Sequence, residues 1–274
     1  MSKDFTCASV VVESHVAVVT LTPTGKANRM GPEFWHQMPG LFEMLDADPA
    51  VRAVVLRGGG DHFSYGLDLV GMAQELAPFI AADARAAERT RLLHTIRSMQ
   101  QAITAVAKCR KPVVAAVHGW CIGGALDLIT ACDIRLCSKE AKFSVREVKV
   151  AMVADVGTLA RLPQIVGQGV ARELAFTGDD VEAARAQRLG LVSEVYETPA
   201  QLFDAAKALA TRIAKNPPLV VQGIKEVMNA SSEKRAAESL ETVALWNSAF
   251  FPSEDLQEAI GAFVEKREPK FQGR

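Results

Sequence analysis

The stretch His118-Gly-Trp-Cys-Ile-Gly-Gly-Ala-Leu-Asp-Leu-Ile-Thr-Ala-Cys-Asp-Ile-Arg135 decides how the chain is read. Just before it, Val113 to Val117 is a short apolar run with the β-branched content of a strand. Gly123-Gly124 then opens a helix that runs through about Ala131, and Ile134 to Cys137 is the next strand. Strands alternating with helices imply an α/β fold with parallel crossovers.

Upstream, Leu92, Leu93, Ile96, Met99, Ile103 and Val106 recur at intervals of three and four, one face of a long helix ending before Lys111-Pro112. Ala53 to Leu56 is another apolar strand, closed by Gly58-Gly59-Gly60, and Pro32 to Leu45 is a helix with proline in its first turn. Val10 to Val12 and Val16 to Leu21, separated by Glu13-Ser14-His15, read as a hairpin. Beyond Ala200 the pattern is helical, with helices expected over Gln201 to Ile213, Leu219 to Met228, Glu233 to Trp246 and Ser253 to Lys266. Ser253 is placed as an N-cap ahead of Glu254 and Asp255. The expected division is an α/β core over 1–199 and a helical region over 200–274.

A chain of 274 residues with 49% hydrophobic and 23% charged residues can bury a substantial core. A net charge of −1 offers no global attraction to nucleic acid or an anionic membrane. No secretory signal, membrane-spanning run or Ser-Lys-Leu-type ending is read in the sequence. Five cysteines, an odd number with no Cys-x-x-Cys pair, suggest buried reduced thiols, and the protein is expected to be cytoplasmic.

Two glycine-rich turns each follow a short strand: Gly58-Gly59-Gly60 leading into Phe63-Ser64-Tyr65-Gly66-Leu67-Asp68-Leu69, and His118 through Asp127. Glycine lets backbone approach a ligand, and a helix start exposes free N–H groups, so the two turns together can form an oxyanion hole. They can equally be loop punctuation, since neither matches a phosphate loop or a dinucleotide fingerprint. Asp127, Glu147 and Asp155 lie in apolar company, where burial raises a carboxyl pKa towards neutrality and makes a usable acid or base. Against that, Asp127 and Asp155 can be helix caps, and Glu147, between Arg146 and Lys149, can be a solvated ion pair. His118 reads as a structural histidine. The cationic run Phe263 to Phe271 reads as a solvated helix end or a contact for ligand phosphates.

Taken together, the run His118 to Arg135, the run Phe63 to Leu69, the N-terminal hairpin with Asn28 near it and the tail Phe263 to Phe271 resemble the crotonase (enoyl-CoA hydratase/isomerase) superfamily over nearly the whole chain. Arg146 to Pro163 resembles the dienoyl-CoA isomerase branch of that superfamily. Its Asp, Glu and Asp pattern falls on Asp127, Glu147 and Asp155, where hydratases usually place glutamate first and glycine third.

The resemblance implies a ClpP-like spiral of ββα units with a C-terminal helical trimerisation region, assembled as a trimer or a dimer of trimers. It implies an acyl-CoA thioester substrate, no separate cofactor, and an oxyanion hole from the N–H groups of Leu67 and Gly124. Glu147 would take a proton beside the thioester, Asp155 would return one at the far end of the conjugated system, and Asp127 would hold the electrostatics between them. Ser64, Tyr65, Gly66, Asp68, Leu69 and Ala125 would bind substrate, with Lys26, Arg29 and Lys266 near the coenzyme A phosphates. The segments 69–80 and 83–91 would line or cover the acyl slot. Two departures stand out: Ala125 replaces the third glycine of the usual triplet, and Tyr65 occupies a position where a small residue is common. Hydration of a 2-enoyl-CoA, and non-catalytic binding of coenzyme A or RNA, are the alternatives.

Overall fold

In the computed structural model, residues 5–22, 27–80, 85–251 and 253–273 are described. The chain opens with β1 (Ala8–Glu13) and β2 (Val16–Leu21), paired antiparallel across Ser14 and His15. Both turn residues have positive φ, 48° and 66°, as a two-residue hairpin turn matched to strand twist requires. Next come α1 (Pro32–Ala47), β3 (Ala53–Gly58), α2 (Ala73–Ile80), α3 (Ala86–Lys108) and β4 (Val113–Val117). They are followed by β5 (Trp120–Ile122), α4 (Gly124–Thr130), β6 (Ile134–Ser138), β7 (Lys142–Ser144) and a 3-10 turn over Glu147–Val150. The rest is α5 (Thr158–Val166), α6 (Gln168–Thr177), β8 (Val181–Glu182), α7 (Ala183–Arg188), β9 (Glu194–Tyr196), α8 (Pro199–Ala214), α9 (Pro218–Phe250) and α10 (Glu254–Glu265).

The main sheet has the order β1-β2-β3-β4-β6-β9, parallel everywhere except the first hairpin. Its inner strands are apolar on both faces because both faces are covered. Val54 and Leu56 of β3 join the main core, while Ala53 and Val55 face the other way, with Leu202, Ala206, Ala210 and Ala214 of α8. Small residues at that four-residue spacing on α8 let the helix lie close to the strands. A second sheet, β5-β7-β8, was not anticipated. Strands of two or three residues are too short to show periodicity, and they exist only because the glycine turns bring them into register.

The expected pair of helices between Leu219 and Trp246 is one helix, α9, of 33 residues. The residues between the two expected helices include Asn229 and Ser232, whose side chains bond within the continuous helix and to its neighbour. Asn229 Nδ2 donates to Ala107 O at 3.1 Å, and Ser232 Oγ donates back to Met228 O at 3.3 Å. Ser253 caps α10 as expected, accepting from Leu256 N at 3.1 Å.

Candidate active site

The two glycine turns are laced together. Ser64 N donates to Trp120 O at 3.0 Å and Ile122 N donates to Ser64 O at 3.1 Å. Ser64 Oγ accepts from Gly66 N at 3.0 Å, tightening the first turn. Gly66 has φ +73°, and a Cβ there would lie 2.5 Å from Ile122 O and 2.8 Å from Gly124 N. Only glycine allows this approach. It sets the start of Leu67 beside the N-terminus of α4, and among the described residues neither Leu67 N–H nor Gly124 N–H donates to a backbone acceptor. One amide at a helix start and one from the turn beside it, in apolar surroundings, suit a developing oxyanion.

The three carboxylates gather at these turns. Gly123 has φ +56°, and a Cβ on it would come within 3.2 Å of Glu147 Oε1. The flanking cations do not neutralise Glu147, because Arg146 pairs with Asp180 and Lys149 with Asp179. Glu147 Oε2 and Asp127 Oδ2 are both out of solvent with no described hydrogen-bond partner. Burial, followed by the charge of Asp127, drives the Glu147 pKa well above the ordinary range. Asp127 is raised by burial too, with the Thr158 amide pulling the other way. Two carboxylates in one dry site cannot both ionise cheaply, so the pair holds a proton between them. Asp127 does act as a cap, but on a helix far along the chain: its Oδ1 accepts from Thr158 N at the start of α5.

Asp155 joins from the loop before α5. Burial lifts its pKa to about 7 against a bond from Asn247 that lowers it. Glu147 and Asp155 line a cavity of about 80 Å³ together with Leu67, Gly124, Trp35 and Leu76. Leu76, Met152 and Phe251 are also part of an apolar groove of about 590 Å³ between α2 and α10.

The raised pKa of Asp155 has a consequence for stability. An ordinary aspartate ionises near 3.8, so between that pH and about 7 the folded protein binds a proton that the unfolded chain has lost. Stability therefore falls as pH rises through this window, by about 1.4 kcal/mol per pH unit in the limit. Asp155→Asn removes the buried charge and keeps an oxygen for Asn247. The variant is expected to melt several degrees above the wild type at pH 8 and alongside it near pH 4. An equal difference at both pH values would mean that burial does not hold this proton.

The remaining expected site residues divide by location. Tyr65 is half-buried, with its ring centroid 5.2 Å from His62 and 6.1 Å from Trp120. Burial raises its phenol pKa, with Arg146 and Arg29 nearby pulling down, so Arg29 does stand beside the turn. Leu69 is exposed on the apolar groove, while Asp68 donates its N–H to Met30 O at 3.0 Å. Ser64 and Ala125, expected among the substrate contacts, are fully buried at 0% exposure, and what they contribute is turn geometry. Ala125 is helical and lies outside the positive-φ residues, so the departure from glycine is accommodated. Lys266 ends α10 in a left-handed conformation and is exposed. Lys26 lies outside the described residues, as do 83 and 84 of the expected lid. His118 is structural: its Nε2 meets Gly60 O at 2.9 Å and its ring packs edge-on to Phe203.

Two functional neighbours were missed in the sequence. Asn247 of α9 bonds the Asp155 carboxylate, and Gln100 of α3 bonds the Asp155 carbonyl. Gln100 falls four residues after Ile96 on the apolar stripe of α3, and a polar residue on that face is the sequence signal that could have found it.

Residues 12–274 match the family model described as enoyl-CoA hydratase/isomerase. The Δ(3,5)-Δ(2,4)-dienoyl-CoA isomerase, mitochondrial, of Dictyostelium discoideum is 42% identical over 259 residues, 93% of this chain and 87% of that protein. The peroxisomal protein of the same name from Arabidopsis thaliana is also 42% identical, over 94% of this chain and 93% of its own length. Among solved structures, an enoyl-CoA hydratase/isomerase of Pseudoalteromonas atlantica superposes with a TM-score of 0.83 at 26% identity, covering 97% of this chain and 100% of that one. The cytoplasmic expectation is corrected by these relatives, which are named mitochondrial or peroxisomal. An organelle address is read by receptors and is independent of composition or thiol state, the features on which the expectation rested.

Proposed function

The chain belongs to the enoyl-CoA hydratase/isomerase family, and on that premise we propose that it converts a 3,5-dienoyl-CoA to the 2,4-dienoyl-CoA. The observation that carries this reading is Asp155 lining the same cavity as Glu147 and Gly124. An isomerase of this kind needs a base at one end of an apolar slot and an acid at the other. A hydratase needs two carboxylates gripping one water. Asp127 suits that second role poorly, because it is 0% exposed, does not line the cavity, and has Oδ1 engaged by α5.

The thioester oxygen accepts from the N–H groups of Leu67 and Gly124, which favours removal of a proton from the adjacent carbon. Glu147 takes that proton, the charge spreads along the conjugated system, and Asp155 supplies a proton to the far carbon. Asp127 and Glu147 hold one proton between them, and Glu147 acts as the base in the state that has this proton on Asp127. Coenzyme A enters as part of the substrate, and no cofactor has a step in this scheme. The rest of the acyl chain runs into the groove between α2 and α10. Arg29, Tyr65 and Lys266 serve the coenzyme A side in this reading. The exposed apolar residues Leu219, Val220, Val227 and Met228 of α9 support assembly of copies of this chain as a trimer or a dimer of trimers.

The test compares a 3,5-dienoyl-CoA with a 2-enoyl-CoA. Absorbance of the 2,4-dienoyl product is expected to grow with wild type and to fall at least tenfold in rate with Asp155→Asn. Loss of enoyl absorbance that ignores Asp155 would replace the isomerase reading by hydration.

A further inference from the structure

Asp155 is held by two amide side chains from two helices that are remote in sequence. Asn247, 4% exposed near the end of α9, donates through Nδ2 to Asp155 Oδ2 at 2.7 Å and to Val153 O at 2.9 Å. Both partners are acceptors, which fixes the orientation of the amide. Gln100 of α3 donates to Asp155 O and to Leu240 O, each at 2.8 Å. The backbone of Asp155 is thus tied to α3, while that of Val153 and one oxygen of the Asp155 carboxyl group are tied to α9.

We propose that Asn247 is a positioning residue that assigns the acid proton of Asp155 to Oδ1. This rests on the isomerase reading for its consequence, though the hydrogen bond can be probed without it. An amide N–H can only donate, so Oδ2 is kept as an acceptor in both protonation states. The transferable proton therefore belongs on Oδ1. The same bond favours the carboxylate, opposing the burial that would otherwise hold the proton too tightly for transfer. The titratable groups facing Asp155 are Asp127 of α4, whose charge opposes ionisation of Asp155, and Glu147 of the 3-10 turn, which the Asp155 charge helps to keep protonated. From α3 and α9 the facing groups are the neutral Gln100 and Asn247.

The experiment uses Asn247→Leu, similar in volume and without a donor, with Gln100→Leu as the comparison that cuts only the backbone tie. The infrared carbonyl band of protonated Asp155, identified by its disappearance in Asp155→Asn, is titrated in the full-length protein without substrate. In Asn247→Leu the midpoint is expected to rise by roughly one to two pH units, with the band moving to higher frequency as the carbonyl loses its donor. Gln100→Leu is expected to lower thermal stability and leave the midpoint in place. With a 3,5-dienoyl-CoA, Asn247→Leu should lower kcat more than tenfold at nearly constant KM and move the alkaline limb of the profile upward. An unmoved midpoint in Asn247→Leu, or an equal shift in Gln100→Leu, overturns the proposal. A shifted midpoint in a protein that does not isomerise dienoyl-CoA would leave the proton assignment standing and remove the isomerase reading instead.

Discussion

Glu147→Gln is expected to lower kcat/KM for a 3,5-dienoyl-CoA by roughly 10³- to 10⁴-fold, the upper part of the range for a general base. Glutamine has nearly the same volume and cannot accept the proton. The side chain lies against the Gly123 turn, where a Cβ would be 3.2 Å from Oε1, so it stands next to the carbon that a thioester held by Leu67 and Gly124 would present. The loss corresponds to about 4 to 5.5 kcal/mol of barrier. The fold is expected to tolerate the change, because the new amide faces the unpartnered Asp127 Oδ2 and can donate to it. Melting at or above the wild-type temperature alongside the rate loss identifies a chemical defect. A variant retaining more than a tenth of wild-type kcat/KM would remove Glu147 from the reaction.

Gly66→Ala should lower kcat by roughly 10²- to 10³-fold, the cost of losing one oxyanion donor. The added methyl carbon would sit 2.5 Å from Ile122 O and 2.8 Å from Gly124 N, both backbone atoms that cannot turn aside. Relief requires the first turn to retreat from α4, which separates the Leu67 and Gly124 amides, and φ +73° adds strain for any side chain. Steady-state kinetics and a melting curve separate the two effects, because the strain lowers stability while the misplaced amides lower kcat at fixed temperature. A folded Gly66→Ala enzyme with wild-type kcat would mean that the two N–H groups are not a pair acting on one oxygen.

The site was partly legible because its backbone half is local. Strand, Gly-Gly and helix in immediate succession place Gly124 at a helix start whatever the rest of the chain does. The long α3 stripe and the hairpin around Ser14 and His15 were readable for the same reason, since their signals repeat within a few residues. The short strands β5, β7 and β8 and the continuity of α9 through Asn229 and Ser232 were not readable. Each depends on a partner far along the chain, such as Ala107 O for Asn229.

The carboxylates show the same boundary. The order Asp127, Glu147 and Asp155 is a property of the sequence, and with the resemblance it was enough to choose among reactions. Sequence could not decide whether each was a cap, an ion pair or a buried acid, because that depends on what surrounds the carboxyl group. Asp127 proved to be buried acid and cap at once, for a helix 31 positions away. Glu147 lost its two adjacent cations to Asp180 and Asp179. Asp155 gained an amide donor 92 positions away. The sequence by itself determined the local geometry of the turns and the chemical types available to them. Tertiary structure alone decided which groups are dry and which are paired, because desolvation and hydrogen bonding depend on neighbours in space, and those two effects set where a proton resides.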